Sequence, residues 1–241
     1  MDVVILAGGK ASDEMAAAYG IQYRCQLPWQ DGTMLDHVRA AAEPLGRLVV
    51  VGGPTEQRTV EEGADFVGSI TAGLQATTSQ QVLLVTADLP FLREESLLAF
   101  AAQCDPDAAL NFAVVPLDTC TKEFPMLRRT AVRTKEGKLT GGNVCLCQRE
   151  MLLANMPLVA KTYAKRKSPF ALAAMVGPLF ILRFLTGQAL ASLVSLAYLE
   201  KKVSRLLKFK AKAVVCPFAD IGTDIDNLTQ YEAVLPLQKI H

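Results

Sequence analysis

The chain has 241 residues, 51% of them hydrophobic and 20% charged, and a formal net charge of +1. That is enough apolar sequence for a sizeable core in one large α/β domain, with or without an insertion. Asp2 precedes the first apolar run, and that run stops at Gly8, which argues against a cleavable leader; six scattered cysteines at no zinc-type spacing read as free thiols in a reducing, cytoplasmic setting.

Val3-Val4-Ile5-Leu6 runs into Ala7-Gly8-Gly9, the pattern of a buried parallel strand feeding a loop whose backbone N–H groups can approach a phosphate. A tight turn after a core strand gives the same dipeptide. Asp31-Gly32 marks a turn, and Thr33 is placed to cap a helix from Met34 through Ala42, ended by Pro44 and Gly46. Leu48–Val51 is a second buried strand, stopped by Gly52-Gly53-Pro54. Residues 55–65 are charged and read as exposed. Gly68–Leu74 starts a helix with small residues, and Val82–Thr86 is a third buried strand followed at once by Asp88.

Strand, helix, strand, helix, strand within about ninety residues predicts a wound parallel sheet, with ligands at the carboxyl ends of the strands. Gly8-Gly9 and Asp88 then become neighbours in space. A helix over 94–103, a strand over 109–116, a strand over 124–134 with basic positions and a strand over 144–147 follow. From Arg149 to about Lys212 the pattern is helical, and between Ser168 and Leu199 the only charge is Arg183. Uncharged runs of about 15 residues are short of the roughly 20 that span a bilayer. They suit an oligomer interface or a cover over a site, with a peripheral membrane contact through 161–212 as the alternative, because lysines and arginines flank them. Ala213–Cys216 is a last strand, then come Asp220, Asp224 and Asp226, and Leu228–Leu235 closes the chain as a helix.

The charge is unevenly divided. Residues 1–110 carry six Lys and Arg against fifteen Asp and Glu, while residues 111–241 carry nineteen against nine. A basic second half suits an anionic partner or a solvated face; nucleic acid is disfavoured, since no aromatics interleave with the basic residues. The only histidines are His37 and His241, so a Ser-His-Asp or Cys-His machine has no base. Glycines, carboxylates and basic residues suit phosphoryl chemistry, in which placement and positive charge do most of the catalysis. Asp88 could be a Mg²⁺ ligand or a turn residue; Asp224 and Asp226 could be ligands or a helix cap.

Val4–Gly9, Arg24-Cys25-Gln26-Leu27-Pro28, Gly32–Val38, Gly68–Leu74, Thr86–Leu92, Thr140–Val144 and Gly222–Asp226 together resemble the molybdenum cofactor guanylyltransferase-like (MobA-like) NTP transferases. The resemblance implies a three-layer, Rossmann-like, mixed but mainly parallel sheet of the nucleotide-diphospho-sugar transferase type. The chain would be one domain over 1–241 with a helical insertion at about 149–212. The implied activity is Mg²⁺-dependent transfer of NMP from an NTP to a phosphorylated small-molecule acceptor. Leu6, Ala7, Gly8, Gly9, Lys10, Gly68, Thr71 and Gly73 would bind the nucleotide, with Arg24 in place of a phosphate-binding lysine. Asp88 and Asp226 would hold Mg²⁺, and Arg24 and Asp88 would be the catalytic pair. Gly142, Asn143 and Lys167 would face the acceptor.

One departure stands out: Glu14 precedes Met15, where the family pattern has a triphosphate-binding arginine. A glycosyltransferase-like enzyme using a nucleotide sugar, and a non-catalytic nucleotide-binding or membrane-associated protein, stay open as alternatives. So does a homodimer through the apolar helices.

Overall fold

A computed structural model of the chain describes residues 1–164 and 194–239. At its centre is β1 (Asp2–Leu6), whose five residues are all buried. Val3 and Ile5 point into one hydrophobic core, Val4 and Leu6 into another. Burial on both faces is why this strand reads as an unbroken apolar run. β1 pairs in parallel with β4 (Arg47–Val51) on one side and β5 (Gln81–Thr86) on the other. Beyond β5 come β8 (Gly137–Gln148), β6 (Leu110–Pro116) and β9 (Ala211–Val215), while β7 (Val132–Thr134) pairs with the first part of β8. In this seven-stranded sheet β8 runs against all the others, giving the mixed, mainly parallel arrangement expected, and β2 (Pro28–Trp29) and β3 (Gly32–Thr33) form a separate two-stranded ribbon.

Helices cover both faces. α1 (Asp13–Tyr19), α2 (Met34–Ala42), α4 (Glu94–Gln103), α5 (Leu117–Glu123) and α8 (Leu228–Val234) pack on the face of Val3 and Ile5. On the other face lie α3 (Phe66–Gln75), α6 (Arg149–Ala164) and α7 (Leu196–Leu207). Thr33 caps α2 as its sequence predicts: its Oγ1 accepts from the Asp36 N–H at 3.2 Å, and Asp36 Oδ2 accepts from the Thr33 N–H at 2.9 Å. Gly73 lets α3 sit close on the sheet, since a Cβ there would lie 2.5 Å from Val4 Cγ1 and 2.9 Å from Val51 Cγ2.

Three expectations change. The strand over 124–134 shrinks to β7. Phe124 and Leu127 are both buried and their backbones close a turn (Leu127 N–H to Phe124 C=O, 3.1 Å), so the segment folds back instead of alternating. The helical pattern of 149–212 ends at Leu207, because Ala211 and Lys212 already pair with β6. Strand β8 begins at Gly137, well before the apolar 144–147, since Lys138, Thr140 and the two glycines hide its first half. Lys167 and most of the 168–199 run lie outside the described residues; among the described residues no helix is long and apolar enough to cross a membrane. All six cysteines are free.

At the amino edge of the sheet Asp2 is buried and saturated with donors: Arg47 forks onto it at 3.3 and 3.1 Å, and the Thr78 and Ser79 N–H groups donate at 2.7 and 3.1 Å. Arg47 first, then the two backbone donors, hold its carboxyl well below the usual range against the opposing effect of burial. Asp2→Asn should cost about 1.5–3 kcal/mol at pH 7. A depressed carboxyl contributes stability above its unfolded pKa, about 3.9, and loses it as pH falls toward the folded value. The gap between wild type and variant should therefore narrow below about pH 4, as urea titrations at pH 7 and pH 3 would read. Gly73→Ala should also destabilise, because an overpacking cost of about 1–3 kcal/mol outweighs the helix-propensity gain of about 0.8–1 kcal/mol.

Candidate active site

The carboxyl ends of β1 and β5 open onto a cavity of about 340 Å³, lined by residues of the glycine loop (Leu6 to Lys10), Arg24, Cys25, the segment from Glu62 to Phe66, Ser69, and Thr86 to Asp88. The glycine loop and Asp88 thus meet at one site. Gly52, at φ 71°, backs the loop: a Cβ there would be strained and would stand 2.9 Å from Gly8 Cα. The Gly63 N–H donates to Ser69 Oγ at 3.1 Å, which folds the segment before α3 over the cavity and brings Glu62 into its wall.

Two charged side chains lie over the two glycines. The Glu62 carboxylate comes within 2.8 Å of where a Cβ of Gly8 would be, and the Arg24 guanidinium within 3.0 Å of the same point at Gly9. Glu62 accepts from Lys10 Nζ at 2.6 Å, which raises the lysine's pKa; its second oxygen is buried without a partner. Arg24 reaches deeper. It donates from Nη2 to Asp88 Oδ2 at 2.7 Å and from Nη1 to Asp226 Oδ1 at 3.0 Å.

Asp88, Asp224 and Asp226 offer one carboxylate oxygen each, all within 4.8 Å of one another. Burial pushes the Asp88 carboxyl up, Arg24 opposes, and Asp224 and Asp226 push it further up; the net direction is upward. Asp226 is raised too, by burial and then by the charge of Asp224. Asp224 is ion-paired to Arg129, and both side chains are largely buried. Asn227 caps α8, accepting from the Gln230 N–H at 3.0 Å, so Asp226 is spared that task and faces Arg24. Asp88 Oδ1 is buried with no partner. Three carboxylates, one of which has an unsatisfied oxygen, make a set of hard oxygen donors that fits a small divalent cation.

Of the residues predicted for the site, Leu6, Ala7, Gly8, Gly9, Lys10, Arg24 and Asp88 line the cavity, and Asp226 joins them through Arg24. Gly68 sits behind the wall, its N–H donating to the α3 cap Asp65 at 2.7 Å. Thr71 donates to the Val67 carbonyl, and Gly73 faces the sheet; neither lines the cavity. Gly142 and Asn143 lie on β8 just before Val144, where its pairing with β5 begins, and neither lines the cavity: a Cβ at Gly142 would stand 2.9 Å from Ala113 Cβ, and Asn143 Nδ2 is buried and unpartnered. Glu14 is exposed on α1 and stays out of the cavity wall. Sequence reasoning missed Glu62, read as part of an exposed loop, and Arg129, read as a strand residue. The Glu61-Glu62-Gly63 turn before the small-residue helix was the available sign for the first, and only the fold identifies the second.

Cys25 lines the cavity, but burial foremost pushes its thiol up to about 12, so it carries no thiolate at neutral pH. Burial lowers the pKa of His37, which lies on α2 outside the cavity wall. Neither Cys25 nor His37 therefore offers a nucleophile or base at the cavity.

The sequence profile of the MobA-like NTP transferase domain matches residues 3–156. The chain belongs to this family. It is a nucleotidyltransferase-family enzyme on the fold read from its strands. A hypothetical transferase from Thermus thermophilus is similar at 30% identity with a TM-score of 0.84, over 94% of this chain and 96% of that one. Two more distant structures share the fold. A nucleotidyl transferase from Methanothermobacter thermautotrophicus has 14% identity and a TM-score of 0.56 over 99% and 97% of the two chains. A 2-C-methyl-D-erythritol 4-phosphate cytidylyltransferase, also from Thermus thermophilus, has 16% identity and a TM-score of 0.55 over 99% and 98%. No curated protein matches.

In this MobA-like domain the Arg129–Asp224 pair is open to a direct test. Arg129→Ala leaves a largely buried carboxylate uncompensated and should cost about 3 kcal/mol in urea unfolding. The double variant Arg129→Ala/Asp224→Asn removes the stranded charge and should recover a large part of that loss.

Proposed function

We propose that this enzyme transfers NMP from an NTP to a phosphorylated small-molecule acceptor, with Asp88 and Asp226 holding Mg²⁺ and Asp224 beside them. The observation that carries the reading is the carboxylate cluster at the mouth of β5, bridged by Arg24 to the glycine loop. An acceptor phosphate oxygen attacks the α-phosphorus, the bond to the bridging oxygen breaks, and pyrophosphate leaves. The nucleophile is already anionic near neutral pH, so the lack of a thiolate or histidine base is no obstacle. Mg²⁺ bound there would supply positive charge to the phosphate oxygens as negative charge moves onto pyrophosphate.

The chain's own residues do the placing. Leu6 to Gly9 offer backbone close to the nucleotide, Lys10 and Arg24 supply cationic side chains, and Gly68, Thr71 and Gly73 shape the helix behind the base. Gly142 and Asn143 face the acceptor, the unpartnered Asn143 Nδ2 being a donor for an acceptor oxygen. Lys167, assigned to the same side, lies outside the described residues. Lys10 and Arg24 together compensate for the arginine that position 14 lacks. We read residues 1–241 as a single domain in which about 149–212 is a helical insertion.

Pyrophosphate release should be measured with Mg²⁺ and each of the four NTPs against a panel of sugar phosphates. At least one pair should turn over, and Asp88→Ala should lower that rate by at least about 10²-fold. A wild-type rate in Asp88→Ala would remove the metal assignment.

A further inference from the structure

We propose that Arg24 is the resident cation of the carboxylate cluster, competes there with the divalent ion, and is released to the triphosphate when the ion binds. The inference rests on the metal reading above. Its ground is a double occupancy of the same ligands. The two carboxylates assigned to the metal, Asp88 and Asp226, are the two that Arg24 holds, at 2.7 and 3.0 Å. Arg129 is ion-paired with Asp224, so among the described residues Arg24 is the cation ion-paired to the other two carboxylates.

The guanidinium is only partly held where it is. Its side chain is 24% exposed, and it rests against Gly9, whose missing Cβ is what lets it lie on the loop. Its Nε is buried with no partner, so its present position satisfies only part of its donor set. The backbone is fixed at the same time: the Arg24 N–H donates to the Gly9 carbonyl at 2.8 Å, so the side chain pivots from an anchored point on the glycine loop. A cation held by Asp88 and Asp226 would repel the guanidinium, and a triphosphate on that loop would offer it a new anionic partner. Metal and nucleotide therefore bind with positive coupling, since each relieves a cost that the other imposes.

The test reads binding rather than turnover. Mn²⁺ is titrated into the nucleotide-free protein and free Mn²⁺ is followed by electron paramagnetic resonance. Arg24→Gln should bind Mn²⁺ about tenfold more tightly than wild type, because one positive charge a few ångströms from the ion is gone. Without metal, a non-hydrolysable NTP analogue should bind Arg24→Gln about tenfold more weakly. Unchanged or weaker Mn²⁺ binding in folded Arg24→Gln overturns the inference. Asp88→Asn separates the two layers: if it binds Mn²⁺ as wild type does, the metal assignment itself fails; if binding falls but Arg24→Gln gains nothing, only the competition fails. A second readout needs no substitution. In ¹⁵N-arginine-labelled wild type, the Arg24 Nε–H signal should move on saturation with Mg²⁺ alone, and a signal that stays in place while the ion is bound overturns the release.

Discussion

The contact on which the site depends is the fork of Arg24 onto Asp88 and Asp226. Three carboxylates within 4.8 Å of one another, one of them deeply buried, repel each other strongly in a medium of low dielectric constant. Two guanidiniums, Arg24 and Arg129, are packed against them and offset most of that repulsion. Burial first, and the neighbouring carboxylates after it, push Asp88 and Asp226 upward against the pull of Arg24. The cluster is held in a state that another cation can improve. Such stored repulsion is characteristic of binding sites, and it reflects the general opposition between functional placement and stability.

The sheet explains why these residues meet. Parallel strands release their loops at one edge, so β1 delivers the glycine loop, β5 delivers Asp88, and the turn after β9 delivers Asp224 and Asp226. β9 is three places removed from β5 in the sheet, and the distance is closed from above: the Ile225 N–H donates to the Asp88 carbonyl at 3.0 Å. That bond ties the late acidic motif to the end of β5 whatever the side chains are doing. β8 runs the other way and so presents the first half of its length, with Gly142 and Asn143, to the same edge.

What was readable in the sequence follows from the same physics. β1, β4 and β5 announce themselves because both their faces are buried, so no polar residue interrupts them. β8 was only half visible, since its first residues are a mixture of buried and exposed positions and carry glycines, a lysine and a threonine. α1 was missed because its helical face contributes a single buried residue, Met15, too little to set a period. Asp88 and Asp226 were legible as carboxylates at strand ends, but their sharing of Arg24 spans 64 and 202 positions and belongs to the fold alone. Glu62 escaped for a related reason: its loop is mostly exposed, and one hydrogen bond from Gly63 to Ser69 turns a single side chain inward.

Glu14 and Glu62 together resolve the problem posed by the opening loop. The carboxylate that local sequence placed against the triphosphate is exposed on α1, and the one that does reach the glycines comes from a different segment. Glu62 is paired with Lys10, whose side chain is 60% exposed, and such a pair contributes about 0–1 kcal/mol. It can open for a ligand at little cost. Arg24 and Asp88 are far less exposed, and parting them without a replacement cation would leave a buried charge uncompensated, a cost of several kcal/mol. The two glycines are therefore covered by charges of unequal tenacity: the pair over Gly8 parts at little cost, whereas the fork over Gly9 parts only when charge is supplied in exchange.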